Sequence, residues 1–172
     1  MAHLTSYQYL TTQELVLRPV TLDDAPAIFS YTSDPRVAQF THWNPHRSLD
    51  ETIAYIKLIN ELKTTHVWGI ALQESNILIG ECSITQHENG RAELYYALAH
   101  NHWGNGYTTQ ALKAMLAITD QFPEISRLEA WIISENVASC RVAQKAGLSL
   151  EQTVPQALII ENTPHDIALY IK

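Results

Sequence analysis

Trp103-Gly104-Asn105-Gly106-Tyr107-Thr108 is the stretch whose reading decides the fold of this chain. It lies between a strand-like run, Ala92 to Ala99, and a helix-like run from about Thr108 to Phe122 with Leu112, Met115 and Leu116 inward. A glycine-bearing turn from strand to helix presents bare main-chain amides at a helix N-terminus. The helix dipole is positive there, and phosphate binds in such places. A side chain at Gly104 or Gly106 would block the close approach of a diphosphate. Thr108 and Thr109 add hydroxyl donors. No Gly-Lys-Ser/Thr is present, which excludes a P-loop, and the first strand carries no dinucleotide fingerprint. By itself the segment is equally an ordinary glycine turn.

Working outward, Leu15 to Val20 reads as a strand ending at Pro19. Thr21 to Asp24 supplies helix-start chemistry for a helix ending near Ser33-Asp34-Pro35. Ser48-Leu49-Asp50-Glu51 is a capping box, and Leu49, Ile53, Ile56, Ile59 and Leu62 follow at helical spacing. Val67 to Leu72 and Ile77 to Thr85 are strands joined by Glu74-Ser75-Asn76, and Glu88-Asn89-Gly90 turns into the strand Ala92 to Ala99. Pro123 stops the helix that follows. Arg127 to Ile133 is a strand, Asn136 to Ala146 a helix closed by Gly147, and Leu158 to Glu161 and Ile167 to Ile171 two last strands. The order is β-α-α-β-β-β-α-β-α-β-β, an α+β (mixed α/β) sheet covered by helices.

The 172 residues suit one domain, and an apolar fraction of 46% is enough for a packed core. Residues 1–12 read as a loose leading segment without the basic start and apolar run of a signal peptide. A net charge of -7 argues against nucleic acid as a partner and is compatible with a cationic substrate such as an amine. No apolar stretch reaches the roughly 18 residues of a membrane span. The two cysteines, Cys82 and Cys140, form no disulfide framework and read as small buried side chains. These features predict a cytoplasmic protein. The eight histidines, among them His42, His46, His100 and His102, include no His-x-x-x-His pair beside an acidic ligand, so no metal is expected.

From Arg91 through Gly147 the chain resembles the GNAT superfamily of N-acetyltransferases, in its ribosomal-protein N-terminal acetyltransferase (RimJ/RimL-like) branch. The family's diphosphate motif, Arg/Gln-x-x-Gly-x-Gly/Ala, is here Trp103-x-x-Gly106-x-Thr108. Tryptophan is usual for the branch, and Thr108 departs from the usual small residue. Glu135-Asn136-Val137-Ala138-Ser139, running through Arg141 and Lys145 to Gly147-Leu148, resembles the branch's Glu-Asn-x-x-Ser helix, with Leu148 in place of an aromatic. Leu17-Arg18-Pro19, Thr21 to Ala25 and Ser33-Asp34-Pro35 extend the match to nearly the whole chain.

The resemblance implies a single GNAT domain over residues 1–172, whose central, mostly antiparallel mixed sheet splays between the strand ending at Leu98 and the strand Arg127 to Ile133. It implies acetyl-CoA as cosubstrate and a primary amine as acceptor, attacking directly in a ternary complex. Tyr96, Ala97 and Leu98 would meet the pantetheine arm through their main chain, one amide holding the oxyanion. Residues Trp103, Gly104, Asn105, Gly106, Tyr107, Thr108 and Thr109 would surround the diphosphate, and Asn136 would be a helix cap, a pantetheine ligand or both. Two proton handlers are then needed. Glu93 is the candidate base, with a salt-bridged strand glutamate as the equal alternative; Glu81 or a water relay are further options. Ser139 is the candidate acid, because the family's more usual tyrosine, four residues on, is Ala143 here; it is also a plain first-turn serine capped on Asn136. Trp43 would wall the acceptor site or pack on the core. Tyr95, Tyr96 and Tyr107 cluster near the cleft.

A peptide α-amine, with a reference pKa of about 7.7–8.0, is already partly neutral at pH 7, whereas lysine, at about 10.4, is not. A weak base therefore favours an N-terminal α-amine of a protein or peptide. A small amine (polyamine, amino sugar or antibiotic) and a non-catalytic CoA-binding module are the alternatives. Dimers are common in the branch, and the sequence leaves the oligomeric state open.

Overall fold

The computed structural model describes residues 7–41, 43–160 and 162–172. Expectations that touch residues 1–6, His42 or Glu161 lie outside the described residues.

Eight strands form one sheet: β1 (Leu10–Thr11), β2 (Leu15–Arg18), β3 (Thr65–Leu72), β4 (Leu78–Gln86), β5 (Arg91–Leu98), β6 (Arg127–Ile133), β7 (Ser149–Ile160) and β8 (Thr163–Ile171). Among the described residues, five α-helices accompany them: α1 (Ala25–Thr32), α2 (Pro35–Ala38), α3 (Leu49–Glu61), α4 (Tyr107–Thr119) and α5 (Val137–Ala146). The strand order is β1-β2-β3-β4-β5-β6-β8-β7. Every pairing is antiparallel except that of β5 with β6. The mixed, mostly antiparallel sheet of the α+β expectation is therefore present. No helix among the described residues is long and apolar enough to cross a membrane.

Alternation along the strands builds two cores, because successive side chains leave a strand on opposite faces. On one face Leu17, Trp68, Ile70, Cys82, Ile84, Leu94 and Leu98 meet Leu112 and Met115 of α4 and Ala143 of α5. On the other, Val20 and Leu78 meet Ile28 and Tyr31 of α1 and Ile56 and Ile59 of α3.

The start of the chain is fixed by one ion pair. Arg18 donates to both carboxylate oxygens of Asp24, at 2.9 and 2.7 Å, while Asp24 also accepts from the Thr21 amide at 2.9 Å. One carboxylate thus ties the end of β2 to the turn that starts α1, a two-pronged geometry only arginine provides.

Several expectations are corrected. Residues 7–12 are held rather than loose: the Trp68 indole donates to the Tyr7 carbonyl at 2.8 Å, and Leu10 pairs with Leu17. The first helix ends at Thr32 with Ser33 as its cap, as expected, but Asp34, accepting from the Arg36 amide, caps an unforeseen extra turn, α2. In α3, Ser48 accepts from the Glu51 amide, but Glu51 reaches back to the Arg47 amide rather than to Ser48, and Leu49 and Leu62 are exposed. The strand expected from Leu158 is the end of the twelve-residue β7. Pro155 hides it from a sequence reading. The ladder slips between Val154 and Leu158, around a proline that cannot donate to it, and β7 is an edge strand, where proline is tolerated.

Candidate active site

The β5–β6 ladder stops almost as soon as it starts. Arg91, Ala92 and Glu93 pair with Arg127, Leu128 and Glu129, and no pairing follows. Beyond Glu93 the two strands part, and a cleft of about 1100 Å³ opens between them.

The ladder also fixes which main-chain groups face the cleft. The Ala99 amide donates to the Ile79 carbonyl on β4. Main-chain groups alternate sides along a strand, so those of Leu94, Tyr96 and Leu98 point away from β4, into the gap. Those of Ala97 turn towards β4, where its carbonyl lies against Gly80. Of the three residues expected to offer an amide, Tyr96 and Leu98 are oriented to do so. Ala97 lines the cleft without aiming its N–H into it.

The cleft runs on to the glycine turn. Gly104 and Gly106 both have φ near +80°, a conformation that costs other residues roughly 1–2 kcal/mol, and nothing lies within 4 Å of where a Cβ would stand. Glycine is therefore favoured here by backbone conformation, not by crowding within the protein. Gly106 caps α4, whose first-turn amides have no intrahelical acceptor. Tyr107, Thr108 and Thr109 line the same wall. Asn105 does not: its amide folds back to the carbonyls of His102 and Trp103, at 3.2 and 3.3 Å, and stiffens the turn. Trp103 binds the turn to the strand, its indole donating to the Leu98 carbonyl at 2.7 Å.

The opposite wall is α5. Asn136 accepts from the Ser139 amide at 3.1 Å, a cap of about 1 kcal/mol that leaves the side-chain NH2 as the group to meet a ligand. Ser139 Oγ donates to the Tyr96 hydroxyl at 2.9 Å, and that hydroxyl in turn donates to the Ser139 carbonyl at 3.2 Å. Burial pushes the Tyr96 phenol up to about 12, against the lowering effect of the Ser139 hydrogen bond, so it stays protonated at neutral pH. Arg141 and Lys145, one and two turns along the helix, put positive charge on the same wall.

Glu93 lines the cleft at its closed end, with its side chain 44% exposed and 3.3 Å from His87. Glu81 and Trp43 are not on the cleft surface. Glu81 is buried, and accepts from Tyr55 at 2.6 Å, while its other oxygen and the Tyr31 hydroxyl have no hydrogen-bond partner among the described residues. Burial holds its carboxyl above the usual range. Trp43 donates to the Tyr95 hydroxyl at 2.9 Å, and Tyr95 is the residue that faces the cleft.

The sequence reading did not foresee the remainder of the lining. Arg36, Val37, Gln39, Phe40 and Thr41 come from α2 and the residues after it, Trp131 and Glu135 from β6 and beyond, and Ala157 and Leu158 from β7. Half-exposed Trp131, on a strand otherwise buried, was the one visible signal. The closed end of the cleft is braced by Glu129, which accepts from Arg91, Arg127 and Trp131 at 2.7, 2.6 and 3.0 Å. Burial pushes that carboxyl up, but the three donors outweigh it and hold it at about 2. No group of three or more His, Cys, Asp and Glu among the described residues could hold a metal ion.

A splayed parallel pair beside a glycine turn into a helix leaves an extended slot, lined by main-chain amides, that can take a strand-like ligand. Residues 14–149 match the family model described as an acetyltransferase (GNAT) domain. The chain is 32% identical over 149 residues to the uncharacterized N-acetyltransferase p20 of Bacillus licheniformis, covering 81% of this chain and 84% of that one. It is 33% identical over 97 residues to the ribosomal-protein-serine acetyltransferase of Escherichia coli, covering 55% of this chain and 54% of that one. The fold superposes with a TM-score of 0.83 on RimL, a ribosomal L7/L12 alpha-N-protein acetyltransferase solved with coenzyme A, at 23% identity, covering 95% of this chain and 96% of that one. The chain belongs to the GNAT acetyltransferase family and is an N-acetyltransferase.

Proposed function

We propose that the protein transfers the acetyl group of acetyl-CoA to the N-terminal α-amine of a protein or peptide, by direct attack in a ternary complex. The observation that carries this reading is the parting of β5 and β6 after Glu93, which leaves the amides of Tyr96 and Leu98 without a strand partner. A pantetheine arm laid there would take the place of the missing strand. The Tyr96 amide is then placed to hold the oxyanion, and the amides at the head of α4 the diphosphate. Asn136 would meet the pantetheine, with Arg141 and Lys145 offsetting cosubstrate charge.

The amine must lose a proton, and Glu93 is the carboxylate placed to take it, directly or through water. It is half-exposed, so water has access to it. Such a base suits an α-amine, whose reference pKa is about 7.7–8.0, better than a lysine at about 10.4. Ser139 is the donor nearest to where the thiolate would depart.

A thiol-release assay with acetyl-CoA against peptides, polyamines and aminoglycosides tests this reading. Release with peptides of free N-terminus, abolished by blocking the α-amine, is expected. Release only with the small amines would overturn the acceptor, and binding of acetyl-CoA without release on any amine would leave a CoA-binding module.

A further inference from the structure

The mechanism above leaves one difficulty. An aliphatic alcohol is a far weaker acid than a thiol, whose reference pKa is about 8.5. Were Ser139 alone to protonate the departing thiolate, it would be left as an alkoxide in a partly buried site, a state of high energy. A hydroxyl at this position needs its own proton supply.

The structure provides one. The Ser139 and Tyr96 oxygens are 2.9 Å apart, the two residues come from facing walls of the cleft, and both line it. Among the described residues, the Tyr96 hydroxyl makes two hydrogen bonds, accepting from Ser139 Oγ and donating to the Ser139 carbonyl. Its proton can therefore swing from that carbonyl to Ser139 Oγ without the ring moving.

We propose that Tyr96 is the proton reservoir behind Ser139, relaying its phenolic proton through the serine hydroxyl to the sulfur of the departing CoA. This rests on the acetyl-CoA reading above. The step balances as follows. The C–S bond of the tetrahedral intermediate breaks, and its electron pair goes to sulfur. Sulfur takes the Ser139 proton as Ser139 Oγ takes the Tyr96 proton. The phenolate that remains is reprotonated through water by the proton that Glu93 took from the amine, which restores both groups.

The energetics favour this arrangement over serine alone. A phenol, even when burial raises it to about 12, is a stronger acid than an aliphatic alcohol, and it remains protonated at neutral pH ready for the next turnover. Tyr96 acts through Ser139 and is a positioning residue by that measure. The same hydrogen bond also settles which rotamer the serine hydroxyl adopts. Phenylalanine would preserve the ring's packing against the core below α4 and remove only the oxygen.

Tyr96→Phe therefore separates the relay from structure. With the best acceptor, kcat should fall about 10- to 100-fold, with KM for acetyl-CoA within about twofold. A proton inventory in mixed light and heavy water should lose one of the two protons in flight. Tyr96→Phe/Ser139→Ala should be no slower than the slower single variant, as expected of residues acting as one unit. A variant with kcat within about twofold of wild type, one that loses activity through KM alone, or one with an unchanged proton inventory would overturn the relay. A second measurement needs no acceptor. In the binary complex with CoA, the pair donating to sulfur should lower the apparent pKa of the bound thiol, read by thiolate absorbance, and Tyr96→Phe should raise it. CoA bound with the same thiol titration in both proteins overturns the relay and leaves the functional reading standing. Titrations that differ, with no amine acetylated, overturn the acetyl-transfer reading and support the donor pair. Failure of the wild-type protein to bind CoA sinks both.

Discussion

The Trp103 indole N–H donates to the Leu98 carbonyl at 2.7 Å, and this bond ties the end of the splayed strand to the glycine turn that heads α4. It joins the two halves of the path proposed for the cosubstrate. The Leu98 carbonyl faces the gap, where a strand partner would otherwise satisfy it. Trp103→Phe keeps the ring and removes the donor. Loss of one such bond is worth about 1–2 kcal/mol, so the Kd for CoA by calorimetry should rise roughly 5- to 30-fold. An unchanged Kd would show that the turn holds its shape without the strand.

Gly106→Ala should act on both stability and binding. The φ of +80° costs an alanine roughly 1–2 kcal/mol, about 2–7 °C in Tm for a domain of this size. The new methyl group also enters the wall where the diphosphate is proposed to lie. CoA affinity should fall by at least about tenfold. A lower Tm with wild-type affinity would place the diphosphate elsewhere.

Glu93 and Ser139 should differ in kind. Glu93→Gln removes a half-exposed base that an α-amine needs little. Its deficit should be below about tenfold near pH 8 and grow as the pH falls, because the protonated fraction of the amine rises. Ser139→Ala should cost about 100-fold or more in kcat across the whole pH range. Equal and pH-independent deficits in the two variants would remove the distinction between base and acid.

Glu129 makes the closed end of the cleft acid-labile. Its folded carboxyl, lowered from 4.5 to about 2 by Arg91, Arg127 and Trp131 against burial, contributes stability that is complete above the unfolded value. That contribution is lost as pH falls through the folded value, a window from about pH 5 to pH 2. Glu129→Gln should lower stability at neutral pH by about 2 kcal/mol, roughly 4–8 °C in Tm. It should also flatten the wild-type loss in that acid window, as followed by denaturant midpoints at each pH.

Glu81 should behave in the opposite sense. Burial raises its carboxyl above the unfolded value, so its contribution is complete below the unfolded value and is lost as pH rises through the folded one. Glu81→Gln retains a hydrogen-bond acceptor for Tyr55 without a charge to bury. Its Tm should match or exceed wild type at neutral pH and lose that advantage at pH 4. A large loss of stability at neutral pH would show that the ionised form is the one the fold requires.

Much of this was legible residue by residue. β6 was expected over its observed span, Arg127–Ile133, because alternation and β-branching agree there. Asn136, Ser139 and Gly147 marked both ends of α5 by capping chemistry, and Gly147 indeed stands at φ 108°. The failures share a cause. β1 is two residues paired with β2, behind a Tyr7 carbonyl held by the Trp68 indole from a strand more than fifty residues on, and β7 is an exposed edge strand broken at Pro155. Neither has a local pattern, because its partners supply the order.

The chain's own sequence determined the glycine turn, the cap on α5 and the helix and strand periods, since each depends on bonds within a few residues. Only the tertiary structure decided where the β5–β6 ladder ends, which main-chain groups face the gap, and that Tyr96 on β5 meets Ser139 on α5. Those are relations between segments distant along the chain. They are set by how two packed faces force the sheet apart, and no local spacing of residue types encodes that.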